Sequence, residues 1–455
     1  MEDAPRWIAN ERAEALLHVD AVKERAGVVA AAAVREELLN LSHRKARSTA
    51  CVVELHMGTA ARIGFVHGHH PLGGSANAAA ILQNSRHSIG LMTARLPTVA
   101  VSLGDPAGIG AEVTVKALAE PSVRAAARWA IHGSNHAMHE AAERAGVRLD
   151  WFRVAAESER AHQEIDADCF VLDHGQVLGL FDRHEPSKVG GAASKAYVES
   201  AIVDAMRPEG DPRRVDAVVT APISKESWAM AGFRWPGHTE LFAFRTRARR
   251  HCMAFAAAKL RVSLATAHVP LMNVRDILTI GRVFDPIDLG HQFCLDLGIS
   301  SPRIAVCGLN PHAGEHGLFG DEEERVIQPA IDMARNAGID ADGPFPADTI
   351  FREAVRGRFD LVVAMYHDQG LIPLKLIAFD SAVNVTLGIP VVRTSPDHGT
   401  AFGIAGEGKA DAGAMKQAML LAAHMARQRR TSESRALGGS HPQGPARGEW
   451  NPGHP

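Results

Sequence analysis

From Leu96 onward the chain alternates short apolar runs with longer stretches of helical periodicity. The runs are "PTVAVSLGD", "CFVLDHG", "DAVVTAPIS", "RVSLATAHVPL", "RIAVCGLNPHAG", "DLVVAMYHDQG" and "AVNVTLGIPVVRTS". Each is nearly continuous in Val, Ile, Leu and Ala, with no alternation of apolar and polar positions, and so predicts a strand buried on both faces. Strands of this kind interleaved with helices predict an α/β fold with parallel or mixed sheets. One intervening helix is marked at both ends: "DEEERVIQPAIDMARNAG" opens on carboxylates that suit a helix N-terminus and closes at Gly338 as a C′ residue. The texture persists over residues 92–430, more chain than one sheet layer needs, which predicts two α/β lobes separated by a cleft.

The flanks read differently. Residues 1–91 hold an Ala/Glu/Arg-rich segment, Glu11 to Asn40, that predicts helix, followed by the Gly/His-rich "HGHHPLGGSANAAA". His67, His69 and His70 in that piece have Gly-rich surroundings and no second ligand cluster. Residues 431–455 are too poor in apolar side chains to build a core and predict a disordered tail.

Composition narrows the function classes. With 46% hydrophobic and 22% charged residues the chain is an ordinary globular protein, and a net charge of -3 with 5% aromatics provides neither the field nor the stacking surface for nucleic acid or an anionic membrane. The longest early apolar stretch, "VVAAAAV", falls far below the ~20 residues of a membrane span. Cys51, Cys169, Cys252, Cys294 and Cys307 form no CxxC pair, which fits a reducing compartment. A cytoplasmic protein is expected.

Chemistry concentrates at strand ends. His268 closes "RVSLATAHVP", His312 closes "RIAVCGLNPHAG" and His367 closes "DLVVAMYHDQG". In open α/β sheets ligands bind beyond the carboxyl ends of the strands, where several such side chains can converge. Three neutral imidazoles would hold a divalent ion and leave positions open for substrate oxygens; a lone strand-end histidine is equally consistent with a hydrogen-bonding loop residue. Nearby stand His238, Thr239 and Glu240 of "GHTE", Asp348 of "PADT", Lys375, Asn384 and Arg393. Lys and Arg donors facing a cleft suit an anionic substrate, carboxylate or phosphate.

Two loops are rich in small residues. "SLGDPAGIGAEV" follows the first core strand and opens a helix, as an anion-binding turn does, but its glycines do not spell GxGxxG, so a Rossmann dinucleotide site is unsupported. It reads equally as a tight strand-to-helix turn. "TSPDHGTAFGIAGEGKAD" joins the last strand to a C-terminal helix, as a backbone-lined cofactor loop or a long surface loop.

Taken in order, "GDPAGIG", "TAPISK", "PGHTE", "NPHAGE", "PADT", "MYHDQG", "LK", "VNVTLG" and "RTSPDHGTA" closely resemble the 4-hydroxythreonine-4-phosphate dehydrogenase family of pyridoxal phosphate biosynthesis, over about residues 93–426. The resemblance implies a homodimer of two-lobed α/β/α subunits, similar to isocitrate and isopropylmalate dehydrogenases, with the active site in the interlobe cleft at the dimer interface. It implies NAD (or NADP) and a divalent metal (Zn, Mg or Co) held by three histidines shared across the dimer interface, at His268, His312 and His367. It places the substrate, a phosphorylated four-carbon acid, on His238, Thr239, Lys375, Asn384 and Arg393. Asp397, His398, Gly399 and Thr400 fall in a loop that looks like the NAD-binding loop of isopropylmalate dehydrogenases. The implied reaction is oxidation at C3 followed by loss of CO2, the metal polarising the C3 oxygen and then stabilising the enolate. For the general base the candidates are Asp348, Lys225 of "PISKE" and a metal-bound hydroxide. "HGLFGDEE" and "HDQGLIPLK" also resemble the subfamily acting on 4-phospho-D-threonate or 4-phospho-D-erythronate in sugar-acid catabolism. A non-catalytic relative would be expected to lack a ligand histidine or the basic pair, and all are present. Residues 1–91 fall outside the resemblance.

Overall fold

The computed structural model describes residues 50–56, 60–66, 95–175 and 184–438. The chain divides into two compact units, Met1–Thr93 and Ala94–Pro455. In the first, β1 (Ala50–His56) and β2 (Ala60–Val66) pair antiparallel, Val53 opposite Ile63. The sequence reading did not assign this hairpin; the helix it expected at residues 11–40 and the histidines at 67, 69 and 70 lie outside the described residues.

The second unit begins with β3 (Thr98–Ser102), α1 (Gly110–Leu118), β4 (Arg128–Gly133), α2 (Asn135–Arg144), β5 (Phe152–Ala155), β6 (Cys169–Asp173), α3 (Lys188–Ala205), β7 (Ala217–Thr220), α4 (Lys225–Met230) and α5 (His238–Thr246). It continues through β8 (Cys252–Ala256), β9 (Arg261–Leu264), α6 (Ile280–Asp296), β10 (Ile304–Cys307), α7 (Gln328–Asn336), β11 (Ala341–Phe345), α8 (Ala347–Val355), β12 (Leu361–Ala364), α9 (His367–Ala378), β13 (Val383–Leu387), β14 (Val392–Pro396) and α10 (Gly413–Gly438). Shorter helical turns lie between them. Helix α10 runs past Thr431, where a disordered tail was expected to start.

All twelve strands of this unit belong to one mixed sheet, in the order β11-β10-β12-β9-β8-β13-β14-β7-β3-β4-β6-β5. The lobes are thus two parallel halves of a continuous sheet. β8 and β13, antiparallel to their neighbours, reverse the strand direction between the halves. Neighbouring strands twist by about 20–25° each, so six steps from β12 to β3 turn the halves by roughly 130°.

The continuous apolar runs have a direct cause. Val99 and Val101 of β3 pack under Met415, Ala418 and Ala422 of α10, while Ala100 between them faces Val198 and Ala201 of α3 on the other side, all fully or almost fully buried. Helix α3 can lie close to α4 because Gly191 has no side chain: a Cβ there would sit 1.9 Å from the Ser227 carbonyl oxygen. Leu241 and Phe242, completely buried at about 2 kcal/mol each, anchor α5 and thereby fix the residues at its first turn.

Candidate active site

Strands β10, β12 and β9 lie side by side and parallel. The chain leaving β9 is tied to the end of β12 by Ala265 N donating to Ala364 O (2.9 Å) and by the Thr266 hydroxyl donating to Met365 O (2.7 Å). Gln369 secures the third strand: its Oε1 accepts from Met365 N at 2.7 Å and its Nε2 donates to Gly308 O at 2.8 Å. These bonds bring the His268 and His367 rings to 5.8 Å between centroids. His367 Nδ1 lies 2.7 Å from Asp368 Oδ1; donating there, it leaves Nε2 with a free lone pair directed away from the carboxylate. Partial burial, then the charges of Lys225 and His367, lower the His268 pKa below the ordinary imidazole value and favour its neutral, ligating form. The pair therefore suits two corners of a divalent-ion site.

His312 does not join them. Beyond β10 the backbone enters the left-handed region at His312, Ala313, Glu315 and His316 (φ 55°, 52°, 45° and 55°), which carries the imidazole outward, against Phe319 and 3.8 Å from Glu315. Among the described residues of one chain no group of three His, Cys, Asp or Glu converges on a metal position. Within one chain two of the three strand-end histidines, His268 and His367, come together. The strained turn is braced by acids that the sequence reading assigned to a helix N-terminus. Glu323 accepts from Leu309 N (2.8 Å), Asn310 N (2.7 Å) and Asn310 Nδ2 (2.9 Å), and Glu322 binds Asn310 and Arg275. Asp348 is exposed at the start of α8, which packs on the His312 turn.

Arg393 is the most unusual group in the cleft. It lies on β14 at 4% exposure, and among the described residues no carboxylate comes within ion-pair range of it. Its guanidinium donates to Thr220 Oγ1 (3.2 and 2.6 Å), to Thr386 Oγ1 (3.1 Å) and, at 3.5 Å, to Asn384 Oδ1. Uncompensated burial lowers its pKa to about 10, with Glu240 opposing the shift. Beside it, burial and the Arg393 charge hold His238 neutral; the ring meets Trp228 edge-on at 5.6 Å and its Nε2 is buried without a partner. Thr239 Oγ1 stands 3.5 Å from Thr386 Oγ1. Glu240 also acts on His268, and Lys225 and Glu240 both approach Gly237, so the arginine pocket and the imidazole pair belong to one cleft. Thr220 and Thr386 were missed in the sequence; a threonine closing the apolar run "DAVVT" was the available signal.

The two small-residue loops come together. Gly104 has φ of 72°, and a Cβ there would lie 2.2 Å from Pro222 O, so the turn after β3 requires glycine. Ile109 N donates to Thr400 O (3.0 Å). Lys116 Nζ donates to Gly408 O (2.9 Å) and Ala410 O (2.7 Å), while Glu112 accepts from Ala410 N (2.7 Å). Helix α1 thus clasps the loop bearing His398, Gly399 and Thr400. Asp397, at its start, is ion-paired at 2.9 Å with Lys375 of α9.

Residues 125–422 match the profile of the family described as pyridoxal phosphate biosynthetic protein PdxA. The chain belongs to this family. A relative named 4-hydroxythreonine-4-phosphate dehydrogenase, from Geobacter metallireducens, is 45% identical over 333 residues, which make up 73% of this chain and 96% of the relative. One named D-threonate 4-phosphate dehydrogenase, from Cupriavidus necator, is 43% identical over 74% of this chain and 100% of its own length. The crystal structure of a 4-hydroxythreonine-4-phosphate dehydrogenase from Burkholderia phymatum superposes with a TM-score of 0.62 at 40% identity, covering 72% of this chain and 98% of that one. PdxA-family membership thus rests on the unit that carries the cleft.

Proposed function

We propose that the protein is an NAD-dependent (or NADP-dependent) dehydrogenase that oxidises and decarboxylates 4-phosphooxy-L-threonine to 3-amino-2-oxopropyl phosphate in pyridoxal phosphate biosynthesis. The observation that carries this reading is Arg393, a buried guanidinium with no carboxylate in ion-pair range among the described residues, which an anionic substrate group would neutralise. His238, Thr239 and Asn384 frame that group, and Lys375 supplies a second cation once released from Asp397. For the C3 hydroxyl proton the candidate acceptors are Asp348, a metal-bound hydroxide and Lys225 in its neutral form, the charge of Lys225 being felt at His268.

His268 and His367, with His312 of a second copy, would hold a divalent ion (Zn, Mg or Co), which when bound supplies polarisation of the C3 oxygen and stabilises the enolate formed by loss of CO2. A homodimer accounts for what one chain leaves open. Met272 and Leu376, which follow the two histidines in sequence, are each 84% exposed, and Leu318 beside the His312 turn is 72% exposed. Burying these side chains between two copies would bring the His312 turn, with Asp348 beside it, to the partner's imidazole pair. The loop containing Asp397, His398, Gly399 and Thr400, clasped by α1, is the proposed nicotinamide-nucleotide site. No helix among the described residues is long and apolar enough to cross a membrane, and the buried free thiols of Cys169, Cys252, Cys294 and Cys307 suit a cytoplasmic enzyme.

A second reading, oxidation of 4-phospho-D-threonate or 4-phospho-D-erythronate, is kept because relatives of both names match at nearly equal identity. The test is NADH formation by the purified protein offered the amino acid and the hydroxy acids in parallel, before and after chelation and metal restoration. Chelator-sensitive turnover of the amino substrate is expected; turnover of a hydroxy acid alone selects the second reading, and no NADH with any of them rejects both.

A further inference from the structure

The turn that carries His312 is held from behind by a buried carboxylate that takes no part in the reaction proposed above. After β10 the chain runs through Gly308, Leu309, Asn310 and Pro311 to His312, and His312, Ala313, Glu315 and His316 all have positive φ, a conformation that a Cβ disfavours. A run of such residues persists only where neighbouring groups impose it.

Glu323 is the group that does so. It is 4% exposed and opens a turn of π-helix, Glu323–Ile327, a rare geometry that recurs at functional sites. Its Oε1 accepts from the backbone nitrogens of Leu309 (2.8 Å) and Asn310 (2.7 Å), and its Oε2 accepts from Asn310 Nδ2 (2.9 Å). The turn closes round the carboxylate: a Cβ on Gly308 would lie 3.0 Å from Oε1, and one on Gly314 would lie 2.8 Å from Oε2. Those two glycines bracket His312. Among the described residues no cation pairs with Glu323, whose carboxylate rests on amide donors alone. Buried charge contributes little net stability, so what the side chain supplies is a fixed course for this backbone.

Two further links extend the brace toward the other imidazoles. Glu322, also 4% exposed, accepts from Asn310 Nδ2 (2.7 Å) and from Nε of Arg275 (2.8 Å), which lies on the helical turn Val274–Ile277 that follows His268 in the chain. Gln369, on the first turn of α9 with His367, donates to Gly308 O (2.8 Å).

We propose that Glu323 is a positioning residue for His312, acting through Leu309 and Asn310 to set where the imidazole stands for a divalent ion, with Glu322 steadying Asn310. The proposal rests on the reading that His312 ligates the ion together with His268 and His367 of a second copy.

The test is calorimetric titration of the metal-stripped, full-length protein with cobalt(II), which needs no substrate, nucleotide or turnover. Glu323→Ala is expected to raise the cobalt Kd by about ten-fold or more, the effect of losing an outer-shell contact, and Glu323→Gln, which keeps one oxygen for Leu309 and Asn310, by about three-fold. Because Glu323 acts through the imidazole, the losses are not additive: in a His312→Ala background, Glu323→Ala raises Kd by less than about two-fold further. A brace of structural value alone would lower the urea midpoint and leave cobalt affinity in place. Wild-type affinity in Glu323→Ala overturns the proposal, as does an undiminished further loss in the double variant. If Glu323→Ala does not fold, Glu323→Gln alone and combined with His312→Ala decides by the same two criteria. Wild-type affinity in His312→Ala removes the ligand and the proposal with it, whereas NADH formation from the phosphorylated acids tests the functional reading independently.

Discussion

Replacing Arg393 with methionine separates binding from stability. The guanidinium is a buried cation with no carboxylate in ion-pair range among the described residues, and the lowering of its pKa to about 10, opposed in part by Glu240, corresponds to about 3 kcal/mol of unfavourable burial. Its hydrogen bonds to Thr220 and Thr386 return about 1 kcal/mol each. Methionine fills much of the same volume and removes both contributions, so the net change in folding free energy is near zero, or stabilising by about 1 kcal/mol. Binding behaves differently. A bidentate charged contact to a phosphate or carboxylate contributes about 3–5 kcal/mol, so kcat/KM should fall by roughly two to four orders of magnitude. Urea unfolding and steady-state kinetics on one preparation read both quantities. Arg393→Met that unfolds far more easily than wild type yet keeps kcat/KM within ten-fold would make Arg393 a structural residue and sink the anion-site argument.

Further predictions follow from the same geometry. His268→Ala and His367→Ala should each lower the zinc or cobalt content found by elemental analysis and abolish activity, with the fold intact by circular dichroism; full metal retention in both would contradict their assignment. Asp397→Asn frees Lys375 from its ion pair, and KM for the phosphorylated substrate should drop a few-fold while KM for NAD rises; unchanged constants would mean the pair is incidental. Burial lowers the folded-state pKa of both His132 and His238. Below pH ~6.5 the unfolded chain therefore binds more protons than the folded one, and stability is lost as pH falls through that value. His132→Phe should flatten the decline in urea midpoint between about pH 7 and pH 5, and an unaltered slope would show that His132 does not carry it.

The apolar runs disclosed the strands and placed chemistry at their ends because a doubly buried strand leaves a pattern within one run of residues. Lateral order leaves no such trace. That β9 lies beside β12, so that His268 faces His367, and that β7 adjoins β14, so that Thr220 reaches Arg393, are facts of pairing between segments far apart in sequence. The same limitation hid the single continuous sheet. His312 occupies the strand-end position read from the sequence, while the left-handed backbone at His312 and Ala313 directs its ring away from His268 and His367 of the same chain, and nothing in "NPHAGEHG" announces positive φ at non-glycine residues. The carboxylates of Glu322 and Glu323 do open a helix, as their pattern indicates, and from its first turn they also brace the preceding loop through Leu309, Asn310 and Arg275.

The central claim is that one oxidising site is assembled from two copies of the chain, and mixing two inactive variants tests it most directly. His312→Ala and Arg393→Met would be unfolded together and refolded in equal amounts, then assayed for NADH formation with the phosphorylated substrate. If His312 serves the partner's site, half of the dimers are mixed and one of their two sites is wild type, so about a quarter of wild-type activity returns. If His312 acts within its own chain, every site contains a defect, and a mixture no more active than either variant alone would contradict the account.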